Sequence, residues 1–176
     1  MAVAPILSIE TQGKKHNKIV RDTMVMISAA YQAYRMEKGD NSSMTFTDLL
    51  PYLNYVSTAA SGTLLDENPG ETGPFECWSE QPCVRLHNGA ALFYNKTVSF
   101  GGTSSLNAIW VQIDPDGVFR DSSTSNAGPS KAVHVRLYYD GTLRTLATVI
   151  PGTCDSEPHC EWSANASWDP AWFTKF

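Results

Sequence analysis

From Val20 onward, apolar residues recur at Val20, Met24, Ile27, Tyr31 and Tyr34, in alternating steps of four and three. That rhythm holds side chains on one narrow face of an α-helix, which turns once every 3.6 residues. It predicts one helix over residues 1–38, beginning in an apolar stub and ending in an aromatic-studded amphipathic stretch. Lys14, Lys15, Lys18, Arg21, Gln32, Arg35 and Glu37 fall mostly off the stripe. Gly39, followed by Asp40 and Asn41, supplies the stop signal. A long helix ahead of a β-rich remainder points to a spine rather than to an active site.

The rest of the chain divides in two. Residues 40–85 read as a connecting region that opens with a short helix at 47–53, capped by Thr45 or Thr47. It continues through TAASGTLLDENPGETGP, an irregular surface loop by composition. Residues 86–176 read as an antiparallel sheet. Short runs rich in β-branched and aromatic residues predict strands at 84–87, 90–94, 96–100, 108–113, 133–139 and 142–149. Asn88-Gly89 and Asp140-Gly141 are hairpin dipeptides that tolerate positive φ. The second hairpin, HVRLYY-DG-TLRTLATV, alternates on both arms, setting Arg136 and Arg144 against Val135, Leu137, Leu143 and Leu146. The tail carries three of the five tryptophans, which suits packing over a sheet. One domain is expected, of α+β class, in which a long N-terminal helix packs on an antiparallel β-sheet.

Composition limits the partners. A net charge of −5 and a pI near 5.3 argue against a nucleic-acid binder, because no basic face can neutralise several phosphates. No apolar run approaches the ~18 residues of a membrane span, and residues 1–9 lack the regions of an intact signal peptide.

Four cysteines allow three connectivities. Cys77 and Cys83 bracket CWSEQPC, and Cys154 and Cys160 bracket CDSEPHC. Short separation and turn-forming residues favour Cys77–Cys83 and Cys154–Cys160, and hence an oxidising, extracytoplasmic compartment. Structural zinc uses more closely spaced ligand pairs, so His159 reads as a loop histidine.

Three stretches resemble type IV pilins and type II secretion pseudopilins. They are Ala2-Val3-Ala4-Pro5 leading into Ala29-Ala30-Tyr31-Gln32-Ala33-Tyr34 and Gly39, then IWVQIDPDGVFRDSS, then AVHVRLYYDGTLRTLATV. The family's processing leader, ending in Gly before Phe and a hydrophobic run, is absent. The resemblance implies a pilin-like fold and a structural subunit, major or minor, of a type IV pilus or type II secretion filament. Its partners would be other pilin subunits, and the inner membrane in a longer precursor. The soluble form is expected to be a monomer. The polymer-core side would comprise Pro5, Ile6, Leu7 and Ile9, joined by Val20 and part of the stripe at Met24 and Ile27. For Met24, Ile27, Tyr31 and Tyr34 burial on the chain's own sheet is the favoured reading, since amphipathic helices mostly serve their own core.

Other chemistry is sparse. Asp114-Pro115-Asp116-Gly117, with Asp121 downstream, offers oxygen ligands of the kind calcium takes, but departs from the EF-hand pattern. An Asp-Pro-Asp-Gly turn held by side chain to backbone hydrogen bonds is the competing reading. No nucleophile elbow, HExxH or phosphate loop is present, and His16, His87 and His134 read as surface or packing residues. Asn41, Asn95 and Asn165 head glycosylation sequons, a pattern common by chance. The tryptophans and tyrosines also fit a secreted carbohydrate- or surface-binding module, the alternative function. An extracytoplasmic hydrolase would need a pocket joining a histidine to an acid or a serine.

Overall fold

A computed structural model describes residues 4–39, 42–65, 75–120 and 132–145. Its elements are α1 (Ala4–Lys38), a 3₁₀ helix η1 (Phe46–Tyr52) and nine strands. The strands are β1 (Tyr55–Thr58), β2 (Leu64–Leu65), β3 (Phe75–Glu76), β4 (Cys83–Leu86), β5 (Ala91–Tyr94), β6 (Ala108–Asp114), β7 (Phe119–Arg120), β8 (Val133–Tyr138) and β9 (Leu143–Thr145). Six form an antiparallel sheet in the order β1-β4-β5-β6-β8-β9, and three form a small ribbon, β3-β2-β7.

The expected class, a pilin-like α+β fold defined by a long helix on a sheet, is corrected: the described structure is mostly β. Nine strands in two sheets make up most of the described elements, and the second helix is a single short 3₁₀ element. The error came from the connecting region. Residues 40–85 hold β1, β2, β3 and most of β4, so the main sheet crosses the expected boundary at residue 85. All four β1 residues are exposed, and an exposed edge strand shows none of the alternation by which half-buried strands are recognised. Strands expected at 84–87, 90–94, 108–113 and 133–139 appear within a residue of those limits. The 142–149 strand is described only as β9, the remainder lying outside the described residues.

No strand forms at 96–100 beyond an isolated bridge between Ser99 and Thr45. Asn95 Oδ1 instead accepts hydrogen bonds from the backbone N–H groups of Thr97 (2.9 Å) and Val98 (3.3 Å) and from Thr97 Oγ1 (2.8 Å). A side chain that captures backbone donors locally competes with a sheet ladder. Thr45 caps η1: its N–H and its hydroxyl both reach the Asp48 carboxylate, at 2.8 and 3.0 Å.

Alternation along the strands splits the main sheet into two faces. Val84, Leu86, Leu92, Ile109, Val111, Ile113, Val135 and Leu137 point to one face, where they share a core with η1 and with the buried α1 residues. The opposite face carries a separate cluster of Cys77, Cys83, Ala91 and Phe93, with Trp110 against it. Arg136 and Arg144, paired across β8 and β9, lie on this second face; Arg136 is buried there and Arg144 exposed.

Candidate functional site

Two hairpin tips hold α1. At the β4–β5 turn Gly89 takes φ +93°, and Asn88 Nδ2 donates to the hydroxyl of the fully buried Thr23, at 2.8 Å. At the β8–β9 turn Gly141 takes φ +89°, and Tyr31 Oη donates to the Tyr139 carbonyl at 2.5 Å. A Cβ on Gly141 would sit 2.8 Å from Gln32 Nε2 and 3.3 Å from the Tyr31 ring, so glycine lets the turn approach the helix. Tyr31 is 2% exposed, meets Phe100 edge-on, and lies beneath the Arg35 guanidinium, 5.7 Å from its ring centre. Nearer the C-terminal end of α1, Tyr52 Oη donates to Glu37 Oε2 at 2.6 Å and its ring meets Tyr34 edge-on. Lys38, then Tyr52, holds the Glu37 carboxyl below its ordinary range, while the Glu37 bond raises Tyr52.

These contacts fix which face of α1 is spent inward. Val20 (2% exposed) and Ile27 (0%) are buried in the chain's own core. The assignment of Val20 to the polymer-core side is therefore corrected, whereas Ile27, and Met24 packed against the same core, take the expected burial on the chain's own sheet. Pro5, Ile6, Leu7 and Ile9 belong to α1 by backbone, but their side chains lie outside the described ones. The outward face, 180° away, carries Lys18, Val25, Ala29 and Met36. Val25 is 64% and Met36 89% exposed. Sequence reasoning missed this second apolar set because attention to one stripe hid a sparser one on the opposite side.

Cys77 and Cys83 form a disulfide with Cα atoms 5.5 Å apart. The loop they close is tightened by reciprocal backbone bonds between Trp78 and Gln81, and it presents Trp78 with the indole more than half exposed. Glu76, Ser79 and Glu80 are exposed around it, with Glu80 paired to Lys96 at 3.2 Å. Cys154 and Cys160 lie outside the described residues, as does His159.

The aspartates at the end of β6 are arranged as a turn. Asp114 is fully buried, and its Oδ1 accepts from the N–H groups of Asp116 (3.2 Å) and Gly117 (3.3 Å). Asp116 Oδ1 accepts from Val118 N–H. Arg85 Nη2 donates to the Gly117 carbonyl at 2.9 Å, placing a positive charge where a cation's oxygen ligand would be needed. Asp121 lies outside the described residues, and no group of three or more potential metal ligands occurs among the described ones. This geometry favours the turn reading over a calcium cradle.

Of the histidines, His87 is exposed beside the β4–β5 turn and His16 is half-buried on α1. His134 lies on the second sheet face with Nε2 3.1 Å from Gln112 Oε1, and Trp110 packs beside its ring. Burial, and then the nearby Arg136 charge, lower its pKa. No described helix is long and apolar enough to cross a membrane. No protein-family model matches the chain, and no curated protein or solved structure matches it.

Proposed function

We propose that this chain is a non-enzymatic structural subunit of an extracellular filament of the type IV pilus or type II secretion kind, assembling through its N-terminal helix. The observation that carries this reading is the face of α1 that its own core leaves uncovered. Val20, Ile27 and Tyr31 are spent on the chain's own core, whereas Val25 is 64% and Met36 89% exposed on the opposite side of the helix. An N-terminal segment of α1 precedes these residues. The segment includes Pro5, Ile6, Leu7 and Ile9, residues suited to a neighbouring subunit or a lipid phase. Identical subunits joined head to tail without closure give an open fibre. The Cys77–Cys83 disulfide fits a location at the cell surface. The reading calls for no catalysis and no cofactor.

Shearing filaments from the surface of source cells and identifying their subunits by mass spectrometry tests the proposal. Recovery of this chain, lost when residues 5–9 are replaced by serine, is the expected result. Recovery only from the culture medium as a free protein would refute it. That outcome would favour the alternative of a secreted surface-binding module, for which the exposed Trp78 on its stapled loop is the supporting feature.

A further inference from the structure

The outward face of α1 and the disulfide loop carry charges of opposite sign, and α1 and the loop's cysteines pack on opposite faces of the main sheet. Residues 1–39 carry six basic and three acidic residues, a net +3, whereas the remainder carries seven basic and fifteen acidic, a net −8. Lys15 and Lys18 are exposed at the basic end of the helix, followed along the same side by Val25, Ala29 and Met36. The ion pair between Lys18 and Asp22 is solvent-exposed and holds neither partner firmly. Across the molecule, Trp78 is exposed on a covalently closed loop, with Glu76 exposed just ahead of Cys77 and Glu80 within the loop in a solvent-exposed pair with Lys96 that holds it weakly. A rigid aromatic anchor rimmed by acids matches an apolar helical strip that ends in lysines.

We infer that the outward face of α1, centred on Val25 and Met36 with Lys15 and Lys18 at one end, receives the Trp78 loop of a second copy of this chain. The contact is heterologous. The buried side of α1 shares the core with one sheet face, and Cys77 and Cys83 cluster on the other. A copy bound through its loop therefore still offers its own helix face to the next, so the contact propagates instead of closing a two-fold dimer. The inference rests on the filament reading and deepens it by naming the surfaces that meet.

The test places a benzophenone amino acid at position 25 of the full chain, purified at concentrations up to about millimolar, where weak contacts populate. Irradiation should give a covalent dimer whose crosslinked peptide contains residues 76–80. Its yield should fall on the order of threefold in molar salt, which screens charges beyond about 3 Å. Trp78→Ala should lower the yield by about fivefold or more, as for an interface anchor. Combined Glu76→Lys and Glu80→Lys should abolish the crosslink, and Lys15→Glu with Lys18→Glu should restore it. Circular dichroism confirms that each variant is folded before scoring. Monomer alone, or a crosslink to the α1 of the second copy, would overturn the proposal. Absence of the chain from sheared filaments would overturn the filament reading while leaving this crosslink standing. A chain recovered in filaments but giving no crosslink would overturn this interface alone.

Discussion

Gly117 and Gly101 both take a positive φ, +59° and +69°, but differ in their surroundings. A Cβ on Gly101 meets nothing within 4 Å, whereas one on Gly117 would lie 2.1 Å from the Gly89 carbonyl oxygen and 3.3 Å from Ala90 C. Both alanine variants bear the left-handed penalty of roughly 1–2 kcal/mol. Only Gly117→Ala must also separate two backbone segments by about 1 Å to reach a tolerable contact, and neither segment is the free end of a side chain. That movement stretches the Gly117 N–H bond to Asp114, already 3.3 Å, and the Arg85 bond to the Gly117 carbonyl, now 2.9 Å. Weakening the bonds of a buried carboxylate adds about 1–3 kcal/mol. Gly117→Ala should therefore lose about 2–5 kcal/mol and Gly101→Ala about 1–2 kcal/mol. Urea denaturation of both variants at one pH gives the difference directly, and the melting temperatures should differ by about 5–10 °C. Equal losses within about 0.5 kcal/mol would refute a direct contact between the β6–β7 and β4–β5 turns.

Other perturbations probe the remaining joints. Tyr31→Phe leaves the ring in place but removes the donor to the Tyr139 carbonyl, and should destabilise by about 1–2 kcal/mol in a denaturant titration; no change would mean that water replaces the hydroxyl. Opening the Cys77–Cys83 disulfide by paired serine substitution, a sequence separation of 6, should lose roughly 2 kcal/mol from loop entropy alone. An unaltered unfolding midpoint would contradict that estimate. His134 has a folded pKa depressed below its unfolded value, so the unfolded state binds the extra proton more readily. Stability should be undiminished above the unfolded pKa and decline as pH falls below it toward the folded value. His134→Gln should flatten that decline, and an equally steep slope in the variant would show that other groups cause it.

Local signals in the sequence were read well where one physical cause dominated. Asn88-Gly89 and Asp140-Gly141 announced their turns because few residues other than glycine accept φ near +90°. The Val20–Tyr34 stripe announced its helix through periodicity, and Thr45 its cap. Global architecture was less legible. Tyr55–Thr58 is an exposed edge strand with no buried partner in its pattern, and β2, β3 and β7 are two-residue pairings whose hydrogen bonds depend on distant segments. The share of strand was underestimated for that reason. Val20 shows a different limit: its position on the stripe predicted burial, but not whether its own sheet or a neighbour would cover it. The aspartates of Asp114-Pro115-Asp116-Gly117 present the same oxygens to backbone amides or to a cation, and the Arg85 bond to the Gly117 carbonyl, across 32 positions, leaves no trace in the local sequence pattern.

The two hairpin tips that grip α1 have a mechanical consequence. Thr23 and Tyr31 are eight residues apart on the helix, and each is fastened to a different turn by a side-chain hydrogen bond. A pull along the helix axis would load both fasteners together, in shear, instead of peeling one and then the other. The β4–β5 and β8–β9 strands behind them are in turn joined through β6 in one hydrogen-bonded sheet. Tension entering at the N-terminus would thus be divided between two anchor points and spread across the sheet, and sliding α1 would require both to rupture at once.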